Sequence, residues 1–529
     1  MINRILQIVL LIFVSSQVFM LAQKKEIVAY YPGGGFGSHR YLVKDIKTSG
    51  SADKITVLIY AFGTPAPDSS GNIVAKINPY SDYVQPFTSD MSIDGIADDS
   101  TQTLRGQFNQ LRKLKEEYPG IKILISFGGW GGGTYFSDAV LNSCSRETFV
   151  DDCIDKFIYG NLPIVNGAGG KGSAAGIFDG FDIDWEFPIS GGPEGTHNNK
   201  CDRENLTKLF ALFRKKLDAI NPKLILTAAV SADKPNVNNY DIKTDARYLN
   251  WFNLMTYDFH GSWNNAAAHH TNLLSSPQDT TDNGAEHSFN KSIKYFIDSL
   301  GVSSRKIIPG AAFYGKCWFD VDSVNNGLYQ PGKDSSGVFN GGFGNYWNLK
   351  NAESLGYKYY WDTLAMAPYL YSSQKKIFWT FDDTKSIALK SRYVDAYNLG
   401  GLMFWELSGD DSNGTLVKTI YNRYMPDINI NKNNAAESYP SIKIIEPQKS
   451  DIVKAGSNLI ISTNTSDRGS KIMKAEFFVD NVSIGYDTIA PFDWVWFNVP
   501  KGEHKIKAIA TDENGNKVVS KEIVINVKE

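Results

Sequence analysis

The sequence predicts an α/β fold: a (β/α)8 TIM barrel with an α+β insertion before its eighth strand, followed by a small C-terminal all-β sandwich. Short apolar runs rich in β-branched residues alternate with longer helical patterns over residues 26–405, as in parallel strands joined by crossover helices. A long irregular stretch interrupts this alternation near its end. A polar segment then leads to short alternating runs that are separated by turn signals.

Eight apolar runs qualify as barrel strands, and eight strand and helix units are the number that closes a barrel of this type. These runs are Ile27–Tyr31, Ile55–Phe62, Ile121–Phe127, Gly180–Asp184, Leu224–Val230, Phe252–Tyr257, Lys306–Phe313 and Gly401–Trp405. Stretches such as 107–118 and 205–220 carry apolar residues at helical spacing and are predicted to pack outside the barrel. In this architecture chemistry takes place at the carboxyl ends of the strands, so the polar residues there are candidates for function.

At 529 residues the chain is too long for one ordinary domain, and its composition changes along its length. Residues 1–22 are predicted to be a signal peptide and residues 23–425 the barrel, with an inserted subdomain at about 315–377. The insertion is rich in Gly, Asn and Tyr and is expected to form one wall of a cleft. Residues 426–440 are polar and Asn-rich, which predicts a linker, and residues 441–529 form the sandwich.

The N-terminus has the features of a secretory signal peptide. Arg4 is its only early charge, an apolar run covers residues 5–13, and Ala22 precedes a charged stretch, so we expect cleavage after Ala22. No other segment approaches the ~18 unbroken apolar residues that a membrane span requires. The protein is therefore expected to be secreted, to the extracellular space or the periplasm, without membrane contact after removal of the signal. Retention of the segment as an anchor is the alternative.

Charge and composition exclude some classes of partner. The formal net charge is -3 and the Lys and Arg residues form no basic stripe, so no nucleic acid is expected to bind. The four cysteines have neither CxxC spacing nor histidines placed as in a zinc site, so no structural metal is expected. Aromatic residues make up 13% of the chain, which suits either sugar stacking or core packing.

The candidate site lies on the fourth predicted strand, where residues 179–186 contain four acids. Alternate residues of a strand share a face, so Asp182, Asp184 and Glu186 are predicted to point into the barrel together, while Asp179 is out of phase and structural. Three carboxylates in a partly dry interior favour retention of at least one proton near neutral pH. Glu186 is nearest the mouth and is placed to donate that proton to a leaving oxygen. A metal site is the rival interpretation, because Mg²⁺ and Ca²⁺ bind carboxylate oxygens.

Residues 179–186 resemble the signature of family 18 glycoside hydrolases, D-G-x-D-x-D-x-E, at every required position. The resemblance extends over about residues 24–425. Residues 126–130 are similar to the family's S-x-G-G-W pattern, residues 255–258 are similar to its M-x-Y-D pattern, and the insertion resembles the α+β subdomain of deep-cleft bacterial chitinases. The resemblance implies a chitinase, which hydrolyses β-1,4-linked N-acetylglucosamine polymers and needs no metal or other cofactor.

The resemblance further implies substrate-assisted hydrolysis with retention of the anomeric configuration. Glu186 would be the general acid and base, and the substrate's own acetamido oxygen would be the nucleophile. Asp184 would bind the acetamido N–H, and Asp182 would share a proton with it and tune its pKa. Tyr257 would align the acetamido oxygen, and Asp258 would contact the distorted sugar or the acid.

Further residues are implied by the resemblance to contact the substrate or support the site. Trp405 would lie under the bound sugar, and Trp130 would stack on the sugar beyond the cut. The full predicted set is Trp405, Trp130, Tyr30, Phe62, Ser126, Gly129 and Met255. The expected partner is chitin or a chitooligosaccharide, bound by a monomer.

The chain departs from the family's common residues at three positions. Phe187 stands where Tyr is commoner, and Ala312 and Lys316 replace the frequent Pro and Arg of the seventh strand. These differences concern substrate contacts at that wall of the cleft.

Three alternative functions are left open by the sequence. Endo-β-N-acetylglucosaminidases, which cut the cores of N-glycans, use the same chemistry, and the shape of the pocket decides between the two substrates. A non-catalytic chitin-binding relative would be expected to lack the acid, whereas Glu186 is present. A metal-dependent hydrolase of another family would lose its activity with a chelator.

The C-terminal runs resemble the bacterial immunoglobulin-like modules that are appended to secreted polysaccharide-degrading enzymes. The predicted strands are Leu459–Ser462, Ala475–Val479, Lys505–Ala510 and Glu522–Val527. Trp494 and Trp496 are two residues apart and share one face of a strand. They are expected either to bind polysaccharide as an exposed pair or, as is commoner for large apolar rings, to pack in the core.

Overall fold

The computed structural model describes residues 25–33, 40–281, 283–333, 343–424, 441–448, 453–466, 471–487 and 492–529. The predicted signal peptide and the predicted linker lie outside these residues. Within the described ranges, no helix is both long enough and apolar enough to cross a bilayer. The four cysteines all lie within the described residues, and none of them forms a disulfide bond.

Eight parallel strands close into a barrel, which confirms the predicted fold class. In chain order they are β1 (Glu26–Pro32), β2 (Val57–Pro67), β3 (Lys122–Gly128), β4 (Gly180–Asp184), β5 (Ile225–Ser231), β6 (Trp251–Met255), β7 (Ile307–Ala312) and β8 (Gly401–Trp405). Each strand pairs with the next one along the chain, and β8 pairs with β1, so the sheet closes on itself. A short strand, Ile73–Lys76, pairs antiparallel with the end of β2.

Helices surround the barrel and bury their apolar faces against it. In the helix Asp202–Ile220, Leu206, Leu209 and Phe213 recur at three-residue and four-residue spacing and are buried. The α-helices of the barrel are Val43–Thr48, Gly106–Glu117, Phe136–Val140, Ser143–Cys153, Asp202–Ile220, Lys234–Val237, Ile242–Asp245, Phe289–Lys294, Thr384–Ala396 and Thr415–Tyr424. Shorter π or 3-10 turns cover Tyr80–Val84, Ile154–Ile158, Tyr295–Ser299, Ser304–Lys306 and Leu407–Gly409, and Leu162–Val165 with Ala168–Gly170 forms a hairpin.

The insertion is a five-stranded antiparallel sheet that begins directly after β7. Its strands are Tyr314–Phe319, Phe343–Asn345, Lys358–Asp362, Ala367–Ser372 and Ile377–Phe381, and its helical turns are Val324–Gly327, Tyr346–Leu349 and Ala352–Leu355. Lys316, compared above with an Arg of the seventh strand, lies on the first strand of the insertion, within the range predicted for the inserted subdomain.

A buried ion pair fastens the end of the insertion to the barrel. Lys390 Nζ lies 2.5 Å from Asp382 Oδ2, and both side chains are fully buried. The same carboxylate oxygen accepts a hydrogen bond of 3.1 Å from the backbone N–H of Ala312, at the end of β7. Because an unpaired charge at this depth would be costly, the pair holds the returning chain in one position relative to the mouth of the barrel.

The C-terminal part is a sandwich of two β-sheets. One sheet contains Ser441–Glu446, Leu459–Ser466 and Asp493–Trp496; the other contains Val453–Lys454, Ile472–Val479, Val482–Asp487, Gly502–Asp512, Lys517–Val519 and Ile523–Lys528. Trp494 and Trp496 are partly buried against the core of the sandwich. A Cβ atom at Gly485 would lie 1.9 Å from the ring of Trp494, so this ring needs a glycine beneath it. The contacts of the two rings favour core packing.

Candidate active site

The acidic residues of β4 form a file that rises to the mouth of the barrel. Asp182 and Asp184 are buried, at 0% and 3% exposure, whereas Glu186 is partly exposed. Trp185, between the two upper acids, faces the opposite way and stacks on Phe136, with the ring centroids 5.3 Å apart. The two-residue alternation of the strand therefore continues past its last residue, and Glu186 lies just beyond β4.

Tyr240 holds the backbone that carries Glu186. Its hydroxyl lies 2.6 Å from the carbonyl oxygen of Trp185 and 3.0 Å from that of Glu186. This hydroxyl fixes the chain where the strand pairing has ended. Tyr240 lies far from the acidic segment in sequence and belongs to none of the predicted motifs, so no sequence pattern pointed to it.

Asp182 lies at the base of the file and accepts hydrogen bonds from four side chains. Its Oδ2 accepts from Tyr30 at 3.0 Å and from Ser126 at 2.8 Å. Its Oδ1 accepts from Thr227 at 2.6 Å and from Asn253 at 3.1 Å. Burial raises the pKa of Asp182, and these hydrogen bonds oppose the rise without cancelling it. Tyr30 and Ser126 belong to the predicted set of site residues, whereas Thr227 and Asn253 were not identified from the sequence.

Asp184, in the middle of the file, has an unsatisfied acceptor. Its Oδ1 is buried and has no hydrogen-bond partner among the described residues. Burial, and then the charges of Glu186 and Asp182, raise the pKa of Asp184 well above its usual value. The strand packs closely here, since a Cβ atom at Gly128 would lie 2.1 Å from the Asp184 carbonyl oxygen. The free acceptor is therefore suited to a donor group on a ligand.

Glu186 keeps its proton up to about neutral pH. Burial is the largest cause and the charge of Asp258 is the next, and together they raise the pKa of Glu186 to about 7. A partly exposed carboxylic acid that is still protonated near neutral pH can act as a general acid toward a molecule in the cleft.

Asp258 is kept ionised by three neighbours from the insertion and the loop after β6. Its Oδ1 accepts a hydrogen bond of 2.5 Å from Tyr314 and lies 3.2 Å from Lys316 Nζ and 3.6 Å from His270 Nδ1. Burial by itself would raise the pKa of Asp258. The Lys316 charge, together with the contacts of His270 and Tyr314, outweighs burial and lowers this pKa to about 2.

Tyr257 is near enough to both the acid file and Asp258 for their charges to act on its hydroxyl. Its ring is 6.1 Å from that of Tyr314, and its hydroxyl lies 3.8 Å from Met403 Sδ. Burial, followed by the charges of Asp184 and Asp258, raises its pKa well above the usual value. Its hydroxyl therefore remains a hydrogen-bond donor over the whole ordinary pH range.

Aromatic rings form the inner surface beside the acids. Trp405 stacks on Phe62 with centroids 5.6 Å apart and contacts Tyr30 at 5.7 Å. Gly129 leaves room for this arrangement, because a Cβ atom there would lie 2.8 Å from the ring of Phe62. Met255 packs with the same interior cluster. The barrel interior at this level thus offers a flat aromatic face to a ligand.

Two exposed tryptophans lie at the rim. Trp130 is 68% exposed and meets the edge of Phe187 at 5.2 Å. Trp263, which is not among the predicted site residues, is 60% exposed, and Lys316 Nζ lies 4.8 Å from its ring centre. Large exposed rings next to a cleft are typical of binding surfaces. The signal in the sequence that could have pointed to Trp263 was its position five residues after Asp258.

The donor set does not resemble a metal site. Within the described part of the chain, no group of three or more His, Cys, Asp and Glu side chains has a geometry that could hold a metal ion. Asp182, the deepest acid, has both oxygens engaged by side-chain donors. The arrangement instead combines a protonated acid, an ionised neighbour and a buried acceptor beside the aromatic rings of the barrel interior.

Comparison with known proteins finds similarity over both parts of the chain. The sequence pattern of the family described as Glycosyl hydrolases family 18 matches residues 26–410, and that of the family described as Bacterial Ig domain matches residues 440–508. Chitinase A1 of Niallia circulans is 32% identical over 446 residues, which cover 77% of this chain and 59% of that protein. Chitinase C of Streptomyces lividans is 35% identical over 395 residues, which cover 73% of this chain and 58% of that protein. The chain thus spans less than two thirds of the length of these relatives.

Solved structures resemble the barrel region. The catalytic domain of psychrophilic chitinase B from Arthrobacter TAD20 has a TM-score of 0.71 at 30% identity and covers 76% of this chain and 96% of that chain. A family 18 N-acetylglucosaminidase from Paenibacillus barengoltzii has a TM-score of 0.57 at 28% identity, with 75% of this chain and 99% of that chain covered.

Proposed function

The chain belongs to glycosyl hydrolase family 18, and from this membership we propose that it is a chitinase that hydrolyses β-1,4-linked N-acetylglucosamine polymers. One observation carries the proposal. The unpartnered buried oxygen of Asp184 lies on the same face of the segment as Glu186, whose pKa is about 7. An acetylated amino sugar offers both groups that this pair requires: a glycosidic oxygen to protonate and an acetamido N–H to donate.

In the first step, Glu186 donates its proton to the glycosidic oxygen, and the bond from that oxygen to the anomeric carbon breaks. The acetamido carbonyl oxygen of the same sugar attacks the anomeric carbon and forms a cyclic oxazolinium ion. Because nucleophile and reacting centre belong to one molecule, the reaction has the advantage of proximity.

Asp184 and Tyr257 act on the acetamido group during this step. Asp184 Oδ1 accepts the acetamido N–H and stabilises the positive charge that develops on the ring. The Tyr257 hydroxyl donates to the acetamido oxygen and aligns it for attack. Asp182 tunes the pKa of Asp184 through its charge, which is one of the causes of the raised value.

In the second step, water opens the oxazolinium ion and Glu186, now ionised, takes the proton from that water. Two displacements at the same carbon retain the anomeric configuration. Trp405 stacks under the sugar that is cut, and Trp130 stacks on the sugar beyond the cut. Trp263 is a further aromatic surface for the same chain of sugars.

The test is the Glu186→Gln variant, which removes the transferable proton and little of the contact surface. Turnover of chitooligosaccharides should fall by at least about 1000-fold while their binding is retained. Glu204→Gln is the matched control, since Glu204 is an exposed glutamate on an outer helix. Products of the wild-type protein, followed by NMR, should initially be the β-anomer. Substantial residual turnover in Glu186→Gln, or an α-anomer product, would refute the assignment.

A second substrate class is favoured by one of the structural comparisons. The similar protein from Paenibacillus barengoltzii is described as an N-acetylglucosaminidase, so the fold also accommodates other N-acetylglucosamine substrates. Endo-β-N-acetylglucosaminidase action would release N-glycans from a glycoprotein, and exo action would release single sugars from oligomer ends. Incubation with a high-mannose glycoprotein and with chitin oligomers, followed by mass spectrometry of the products, separates these activities from chitin cleavage.

We further propose that the chain is exported, is cleaved after Ala22, and acts as a monomer without a metal or a cofactor. The apolar run before Ala22 supports export. N-terminal sequencing of protein from the culture medium or the periplasm tests the cleavage site. If no metal takes part in the reaction, dialysis against a chelator should leave the activity undiminished.

A further inference from the structure

The C-terminal sandwich meets the barrel through a buried guanidinium. Arg423, on the helix Thr415–Tyr424, forms two hydrogen bonds of 3.0 and 2.9 Å with the carboxylate of Asp487 in the sandwich. Its Nε also bonds to Asp395 on the helix Thr384–Ala396 at 2.8 Å. Arg423 and Asp487 are only 8% and 4% exposed. A planar fork paired with both oxygens of a carboxylate is the most directional ion pair available to a protein.

A second ion pair lies next to the first. Arg392, on the helix that carries Asp395, pairs with Asp493 of the sandwich. The backbone N–H of Asp493 donates to the Asp487 carboxylate at 3.3 Å, so the two acids of the sandwich form one connected acceptor surface. Two arginines of the barrel thus face two aspartates of the sandwich.

Apolar and polar contacts surround these pairs. Ile460 and Val495 of the sandwich pack against the apolar core of the barrel and insertion. Asn458 donates to the carbonyl oxygen of Leu364, in the turn between two strands of the insertion, at 3.4 Å. Since Val495 faces the barrel, its neighbours Trp494 and Trp496 face the sandwich core.

The linker by itself does not explain why the sandwich is in contact with the barrel. The predicted linker covers residues 426–440, and an extended chain of that length reaches up to about 50 Å, so the sandwich could sit well away from the barrel. Burying four charged side chains is costly unless their charges and hydrogen bonds are matched, and here they are matched across the two units. Such matching favours one arrangement of the units over a range of loose ones.

We propose that the C-terminal module is a fixed brace of the catalytic unit rather than a mobile arm that carries substrate. It contacts the insertion and the helix Thr384–Ala396. That helix also carries Lys390, whose buried pair with Asp382 fastens the insertion to the end of β7. The brace therefore supports, from outside, the wall of the cleft that bears Tyr314 and Lys316.

Small-angle X-ray scattering of the full mature chain tests the arrangement without any substitution. If the module is fixed, the particle is compact and its maximum dimension agrees with that of the structure in which the sandwich contacts the barrel. A distance distribution with two separated lobes would overturn the proposal.

The double variant Asp487→Asn with Asp493→Asn tests the ion pairs. It removes the two carboxylates that Arg423 and Arg392 meet across the interface, while Arg423 keeps its bond to Asp395 within the barrel, so the module should release. The scattering dimension should grow, a separate melting transition should appear at least about 5 °C below the main one, and proteolysis within 425–440 should accelerate by about 10-fold. The control is Glu476→Gln, which removes a carboxylate paired with Lys474 inside the module. Equal behaviour of the double variant and the control would contradict the brace.

Discussion

The carboxylate of Asp258 accepts a 2.5 Å hydrogen bond from Tyr314, so a residue of the insertion holds a charge of the barrel beside the proposed acid. That charge is the second cause, after burial, of the raised pKa of Glu186. The insertion is thus more than a wall of the cleft, because it takes part in setting the protonation state of the site.

Replacing Asp258 by Asn should move the basic limb of the pH–rate profile to lower pH. Glu186 must be protonated to act, so activity is present below its pKa and is lost as pH rises through about 7. Without the neighbouring negative charge the pKa of Glu186 falls, and the basic limb should move to lower pH by about one pH unit. The measurement is kcat/KM against pH, with Asp151→Asn, at an exposed pair on the outer helices, as control. An unmoved limb would show that burial alone sets the pKa.

Thr227→Val should destabilise the barrel from beneath the acid file. The substitution keeps the shape of the side chain but removes the 2.6 Å hydrogen bond to Asp182, which is fully buried. Loss of a donor to a buried carboxylate costs about 1–3 kcal/mol, measured here by urea denaturation. Thr48→Val, at an exposed helix end, should change the free energy of unfolding by less than about 0.5 kcal/mol. Equal effects of the two substitutions would contradict the role given to Thr227.

Glu186→Gln should stabilise the protein at alkaline pH. The folded-state pKa of Glu186 is raised from 4.5 to about 7, so folding favours its protonated form. The stability that this group contributes is fully present below about pH 4.5 and is lost as pH rises from there through about 7. Gln carries no such penalty, so the variant should gain about 2 kcal/mol over wild type at pH 8 and much less at pH 5. Thermal melts at both pH values measure the difference, and a gain independent of pH would argue against the raised pKa.

Trp130→Ala should weaken binding of long oligosaccharides without affecting stability. Its ring is largely exposed, so its removal costs little packing, whereas the loss of one sugar-stacking surface should raise KM by about 10-fold. The control is Tyr159→Ala, because Tyr159 is also exposed but follows an outer helix at the opposite end of the barrel. Unchanged KM for oligomers of five or six sugars would remove Trp130 from the binding surface.

Local patterns predicted the acid file and missed much of its surroundings. Asp182, Asp184 and Glu186 share a face because strand residues alternate, and the regularity needs only a few consecutive residues to be recognised. Thr227, Asn253 and Tyr240 meet the file from later parts of the chain. Their contacts depend on which strands are neighbours and on how side chains are oriented there, and no local periodicity carries this information.

The sequence by itself determined the barrel, the sandwich and the family, because hydrophobic periodicity and a long acidic motif are properties of neighbouring residues. Only the tertiary structure decided that Lys316, Tyr314 and His270 reach Asp258 and that Arg423 meets Asp487. These contacts join residues far apart in the chain, and their strength comes from distance and burial, which exist only after folding.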